Sequence, residues 1–240
     1  MSRAVTADFE LVRDYVRNYR ILKIEEGSSR EAELKRLHRN VVGSLQIWAE
    51  MQRLAVKGEL RLYDVSVPSD GGAFEQIAES FSDLTSMLGS ALHGLIKPAS
   101  MSLRSCVETQ IRGTCGALDS RVLAEGNVYR LFDQASTSVY FSGSSGAYLR
   151  SLHGVYKELC LVAHSSPKHL ARIASLEDIT RSSVSDLRRL AGQCARATSA
   201  CAGALVSASP EIFVGAKPKA MDLLEVVVPV AARLRALGGS

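Results

Sequence analysis

Apolar residues recur every three to four positions over most of the chain, which is the spacing of amphipathic helices. In the first predicted helix, residues 7–25, the apolar positions include Phe9, Val12, Val16 and Leu22. The same spacing continues in seven further segments, at residues 29–57, 74–95, 98–118, 127–141, 144–166, 176–208 and 218–237. The sequence therefore predicts an all-α bundle of about eight helices.

The pattern changes once, in residues 59–73, ELRLYDVSVPSDGGA. Apolar and polar residues alternate there from Leu60 to Val67, and Pro68 and the Gly71-Gly72 pair then interrupt any regular element. We expect an extended connector or mobile loop at 59–73, with at most a short β ribbon near 59–67. The rest of the pattern predicts one helical domain over residues 1–240.

Composition supports a helical protein with a sizeable core. Of the 240 residues, 46% are apolar and only 6% aromatic, which favours helix packing over a sandwich of aromatic and β-branched strands. The net charge of +4 permits an anionic partner without requiring one. The charged first segment lacks the apolar core of a signal peptide, and no apolar run reaches membrane-spanning length. We therefore expect a cytoplasmic protein with no membrane association.

The predicted helix at 144–166 has a basic edge. At about 100° per residue, Arg150, His153, Lys157 and His164 fall within an arc of roughly 80°, and apolar residues with Tyr156 fill the adjoining arc. A cationic edge beside a packed face is a place where an anion can bind near low dielectric. The alternative is that this edge is only solvated, as most polar helix faces are.

A second polar stripe lies on the predicted helix at 98–118. It consists of Arg104, Glu108, Arg112 and Cys115, and the four-residue spacing of Glu108 and Arg112 predicts an ion pair. An exposed pair contributes only about 0.5 kcal/mol, whereas a buried pair is costly to keep and indicates a site.

Several chemistries have no motif in this chain. The five cysteines give no zinc or redox spacing and are predicted to be buried thiols. The sequence also has no phosphate loop ending in GK[ST], no GxGxxG after a strand, no HExxH and no GxSxG. We predict no metal site and no cofactor.

Two segments resemble the helical HEPN superfamily, particularly its members in prokaryotic defence and toxin systems. They are SCVETQIR at 105–112 and YLRSLHGVYKELCLVAHSS at 148–166. The resemblance implies a bundle of four or more helices, often dimeric, with a metal-independent endoribonuclease or nucleotide-binding site between two copies of the later helix. It also implies RNA or a nucleotide as ligand and a protein partner from the same operon.

The match departs from the nuclease motif of that superfamily at one position. Nuclease members carry an arginine, four to six further residues and then a histidine, whereas Lys157 takes the arginine's place here, in KELCLVAH. Lysine keeps the charge but lacks the planar fork that binds phosphate in two places. The motif therefore supports anion binding and leaves open whether the chain is an enzyme.

The resemblance assigns catalytic roles to His164, Lys157, Glu108 and Arg112. In that mechanism a 2′-hydroxyl attacks the adjacent phosphate, His164 acts as general acid or base, and a cation stabilises the charge that develops. The predicted substrate-binding residues are Arg150, His153 and Tyr156. The alternative for His164 is that its imidazolium only caps the helix C-terminus.

A second function class stays open, namely a non-catalytic helical scaffold for interaction or dimerisation. The face of small residues at 195–204 and the apolar segment 221–237 offer more packing surface than one bundle obviously needs. We therefore predict a homodimer.

Overall fold

The computed structural model describes residues 3–19, 25–62, 72–163 and 182–238. Within these ranges the regular structure is helical and contains no strand, which confirms the all-α prediction. None of the described helices has the length and hydropathy that a membrane span requires. The α-helices of the described ranges are α1 Arg3–Tyr19, α2 Ser29–Val56, α3 Ala73–Leu92, α4 Ile96–Gly116, α5 Val128–Thr137, α6 Gly146–Ala163, α7 Val184–Ala208, α8 Glu211–Val214, α9 Pro218–Val227 and α10 Val230–Gly238.

Several helix ends differ from the predicted ends. The helix predicted from residue 176 begins at Val184, because Ser183 is extended (φ −77°, ψ 157°) and forms a reciprocal capping box with Asp186. The final predicted helix is divided into α9 and α10 at Val228 and Pro229, because proline has no backbone N–H to continue the helix. The short helix α8 was not predicted. Residues 164–181, which include the predicted start at 176, lie outside the described residues.

The predicted connector is described only at its ends. Residues 59–62 contain no strand, and the two leucines among them are each 4% exposed and pack with Leu54 of α2 and Phe213 of α8. Burial of Leu60 and Leu62 in a helical core thus accounts for the start of the alternating pattern. Residues 63–71, which hold the rest of the predicted connector and ribbon, lie outside the described residues.

The core has two large parts. One lies between α3, α4, α5, α6 and α7 and includes Leu37 and Val41 of α2, and the other lies between the second half of α2, the first half of α3, the end of α7 and helices α8 to α10. Trp48 of α2 borders the second part and stacks on Phe74 and Phe81 of α3, with ring centroids 4.9 and 5.5 Å away. A smaller cluster around Phe9 fixes α1 to the bundle.

Two glycines allow close contacts between α-helices. A Cβ atom at Gly113 of α4 would lie 2.6 Å from the side chain of Ile77 and 2.8 Å from the carbonyl oxygen of Ala73, both in α3. A Cβ atom at Gly203 of α7 would lie 2.6 Å from the ring of Tyr148 in α6. The small residues of α7 therefore let α6 pack against α7 within the same chain.

Candidate functional site

A group of polar side chains lies along the contact between α4 and α6. We call this group the polar seam. It receives side chains from three helices, α3, α4 and α6, and its members carry the shifted pKa values and ion pairs described below. The members are Asp83 of α3, Arg104, Glu108 and Arg112 of α4, and Tyr156 and Cys160 of α6.

Arg104 connects the two helices of the seam. Its Nε donates to Oε1 of Glu108 at 3.2 Å and to the hydroxyl oxygen of Tyr156 at 3.0 Å. Its guanidinium carbon lies 5.1 Å from the centroid of the Tyr156 ring, within the range of a cation–π contact. Arg104 is therefore oriented at its inner end by one carboxylate and one aromatic ring.

The terminal nitrogens of Arg104 are not used in this arrangement. Nη1 and Nη2 have no hydrogen-bond partner among the described residues, and 28% of the side chain is exposed. A guanidinium fixed at Nε and open at both terminal nitrogens presents a planar fork that matches phosphate or carboxylate oxygens.

Glu108 and Arg112 form the ion pair that their spacing predicted. Nη1 of Arg112 lies 3.7 Å from Oε2 of Glu108, while Oε1 of the same carboxylate accepts from Arg104. The side chains of Glu108 and Arg112 are only 17% and 16% exposed. Nη2 of Arg112 also donates to the carbonyl oxygen of Glu125 at 2.9 Å, so Arg112 is fixed in place rather than open to a ligand.

Asp83 brings a carboxylate from α3 to the same contact. Burial raises the pKa of Asp83 above its ordinary value, against the lowering effect of hydrogen bonds from Ser105 and Thr109 of α4. The negative charges of Glu79 and Glu108 raise it further. Its Oδ2 is buried without a hydrogen-bond partner among the described residues. The folded chain thus holds an acid whose ionised form is disfavoured.

Tyr156 is the aromatic member of the seam and is only 6% exposed. Burial and then the negative charge of Glu108 raise the pKa of its hydroxyl above the ordinary value, so this group stays protonated at neutral pH. Tyr156 also packs 5.6 Å from Phe132 of α5, centroid to centroid. Because its ring is buried, Tyr156 cannot stack on a ligand. Its hydroxyl and ring instead hold Arg104 in place.

The basic edge of α6 is only partly cationic. Arg150 and Lys157 are exposed, as the sequence predicted. His153 instead lies with its ring 4.5 Å from that of Phe132, and this burial, together with the charge of Lys157, lowers its pKa below the ordinary value. His153 is therefore uncharged at neutral pH. His164 lies outside the described residues.

The structure brings together only some of the predicted site residues. Glu108, Arg112 and Tyr156 meet in the polar seam, whereas Lys157 forms no ion pair with a described residue. The sequence prediction missed Asp83, and it placed Arg104 in the polar stripe of residues 98–118 without assigning it a role in the site. The spacing of Arg104, Glu108 and Arg112 was a usable signal, because residues four apart share one helix face.

Comparisons with known proteins do not identify the site. No protein-family model, no curated protein and no solved structure matches the chain. Among the described residues, no group of three or more His, Cys, Asp and Glu side chains is arranged to hold a metal ion. The HEPN resemblance therefore stays a prediction from the two sequence segments.

Proposed function

We propose that this chain is a helical RNA- or nucleotide-binding protein of HEPN-like type, and that its polar seam binds a phosphate group through Arg104. The observation that carries the proposal is the open fork of Arg104, which is fixed at Nε and has no described partner at Nη1 and Nη2. Arginine in this geometry donates two parallel, charge-assisted hydrogen bonds to a phosphate.

The charge around the fork supports an anionic ligand. Glu108 is shared between Arg104 and Arg112, so one carboxylate faces two guanidinium groups. Lys157 follows Tyr156 directly in α6 and is exposed, which adds a positive charge on the solvent side of that helix. Asp83 opposes this charge only when it is ionised, and burial, followed by the charges of Glu79 and Glu108, raises its pKa and so favours its neutral form.

Mononucleotide binding tests the site directly. We expect Arg104→Gln to weaken binding of a fluorescent adenosine triphosphate by roughly 10- to 100-fold, since a hydrogen bond to a charged group contributes about 1.5–3 kcal/mol. Arg104→Lys keeps the charge without the fork and should lose less. Arg130→Gln, an exposed arginine of α5, is the matched control. Unchanged binding in Arg104→Gln, with helix content intact by circular dichroism, would rule the site out.

Cleavage is a separate part of the proposal and rests on His164. RNA cleavage by the wild type in the presence of EDTA, with a 2′,3′-cyclic phosphate product, would establish a metal-independent ribonuclease. His164→Ala should then abolish cleavage, and Lys157→Arg should maintain or raise it, because it restores a guanidinium at the motif position. If the wild type leaves RNA intact while Arg104 still binds nucleotide, the chain is a binding relative without nuclease activity.

A non-catalytic dimerisation scaffold is the second candidate, and one observation favours it. Val230, Leu234 and Leu237 form a stripe on α10 and are 58%, 65% and 62% exposed. Light scattering at tens of micromolar tests this candidate. A mass of twice 25.9 kDa that Leu234→Asp returns to 25.9 kDa would support it, and a wild-type monomer would exclude it.

A further inference from the structure

Three arginines from two helices form a row on the outer face of α7. Arg188 and Arg196 are eight residues apart on α7, with Gly192 midway between them. Arg36 of α2 fills the gap, because its Nη2 lies 4.0 Å from the position that a Cβ atom at Gly192 would take. Four residues of an α-helix advance about 6 Å, so the order along α7 is Arg188, Arg36 and Arg196 at roughly equal steps. We call these three residues the arginine row.

Carboxylates hold the arginine row from its inner side. Nε of Arg188 donates to Oε1 of Glu33 at 2.8 Å, and Nη1 of Arg36 lies 3.7 Å from Oε2 of the same carboxylate. Arg196 makes a two-pronged contact with Glu158 of α6, at 2.9 and 2.5 Å. Glu33 is only 12% exposed and Glu158 is 43% exposed, whereas Arg188, Arg36 and Arg196 are 61%, 43% and 48% exposed. Arg188 and Arg36 are thus oriented from the buried side by Glu33, Arg196 is paired with a half-exposed carboxylate, and all three reach solvent.

The row keeps unused hydrogen-bond donors and an excess of positive charge. Among the described residues, Nη1 and Nη2 of Arg188 have no acceptor, and the guanidinium of Arg36 has its ion pair but donates no hydrogen bond. Three cations face two carboxylates. On the same two helices Arg189 is paired with Asp186, while Nε of Arg39 is buried without a partner among the described residues. Such an excess favours an anionic partner.

We propose that the arginine row binds the phosphate backbone of a nucleic-acid strand. A line of guanidinium groups at regular steps matches a chain of phosphates: Arg188 and Arg36 offer open donors, and Arg196, whose Nη1 and Nη2 are bonded to Glu158, contributes its positive charge. Among the described residues, no aromatic ring contacts the row, so we expect it to contact phosphates rather than stacked bases. The binding should therefore be independent of sequence and strongly dependent on salt. The row is separate from the polar seam, so this inference goes beyond the proposed function and does not rest on it.

Fluorescence anisotropy with a labelled 12-nucleotide oligouridylate tests the row. Each phosphate contact on a single strand contributes about −0.7 to the slope of log affinity against log salt, so three contacts contribute about −2. By the same relation, these contacts alone weaken wild-type binding by about 18-fold between 50 and 200 mM salt. Arg36→Gln/Arg188→Gln/Arg196→Gln should lose this part of the slope and bind weakly at 50 mM salt.

A charge-matched control separates the row from bulk charge. Arg61→Gln/Arg121→Gln/Arg130→Gln removes the same charge from exposed arginines on other segments. Its slope of log affinity against log salt should differ from the wild-type slope by less than about 0.7, the contribution of one phosphate contact. Equal losses in the two triple variants, or a row variant with the wild-type slope, would overturn the proposal. So would a wild type that binds phosphatidylserine vesicles but not the oligonucleotide. Arg104→Gln is measured alongside, and loss in the row variant alone would support the row even if the polar seam binds nothing.

Discussion

The contact between α3 and α4 gives a stability prediction with a built-in control. Gly113 and Gly89 are both helical glycines, and alanine is intrinsically better than glycine in a helix by about 1 kcal/mol. A Cβ atom at Gly89 would meet nothing within 4 Å, whereas a Cβ atom at Gly113 would lie 2.6 Å from Ile77 and 2.8 Å from the carbonyl oxygen of Ala73. The same substitution should therefore change stability in opposite directions at the two positions.

The magnitude follows from two opposing terms. Gly89→Ala should raise the free energy of unfolding by about 1 kcal/mol, since only the propensity term applies. Gly113→Ala has the same gain, but overpacking of a core contact costs about 1–3 kcal/mol, and part of this contact is backbone that cannot rotate away. We expect Gly113→Ala to be the less stable variant by about 1–3 kcal/mol.

Thermal and urea unfolding by circular dichroism measure this difference. For a chain of this size, 1 kcal/mol corresponds to a shift in Tm of about 2–4 °C. Gly203→Ala, which would meet the ring of Tyr148 at 2.6 Å, should behave like Gly113→Ala, and Gly154→Ala, which meets nothing within 4 Å, should behave like Gly89→Ala. If Gly113→Ala were as stable as Gly89→Ala, the helices could not be packed as closely as described.

Three further predictions concern titratable groups. Because burial raises the pKa of Asp83, the folded chain loses stability as pH rises above about 4. In urea unfolding, Asp83→Asn should therefore be more stable than the wild type at pH 7 and should lose that advantage at pH 4. Burial and Lys157 lower the pKa of His153, so wild-type stability should fall as pH drops from 7 to 5, and His153→Gln should reduce this fall. Ellman's reagent at pH 8 should modify the half-buried Cys160 first, and Cys160→Ser should remove that phase, since burial raises the pKa of Cys194 and Cys201 to about 12.

The helices were predictable because their apolar positions repeat with the helical period. Ends were less predictable where the sequence offers several caps, since Ser175 and Ser183 are both suitable N-cap residue types, and Ser183 forms the capping box with Asp186 at the start of α7. The buried Leu60 and Leu62 show another limit. Alternation predicts a strand when one face is solvated, but an irregular segment that buries both leucines gives the same pattern.

The site was less predictable because its contacts cross between helices. The Glu108–Arg112 pair follows from spacing within α4, whereas Asp83 reaches the seam from α3 and could not be placed without the packing.

The homodimer prediction had two supports, and the structure affects them differently. The small residues of α7, among them Gly203, are buried against α6 of the same chain, so they no longer argue for a second copy. The exposed stripe on α10 keeps the dimer as a prediction.

Helix α6 relates the two proposed binding sites to each other. Tyr156 faces α4 and holds Arg104, while Glu158 faces α7 and holds Arg196. Residues two apart on a helix are separated by about 200°, so the seam and the arginine row lie on opposite sides of α6, and the exposed Lys157 lies between them. One nucleic-acid strand that passes over Lys157 could contact both sites, and binding at one would then raise the effective concentration at the other. Lys157 forms no ion pair with a described residue, so its ammonium group would be available to such a strand.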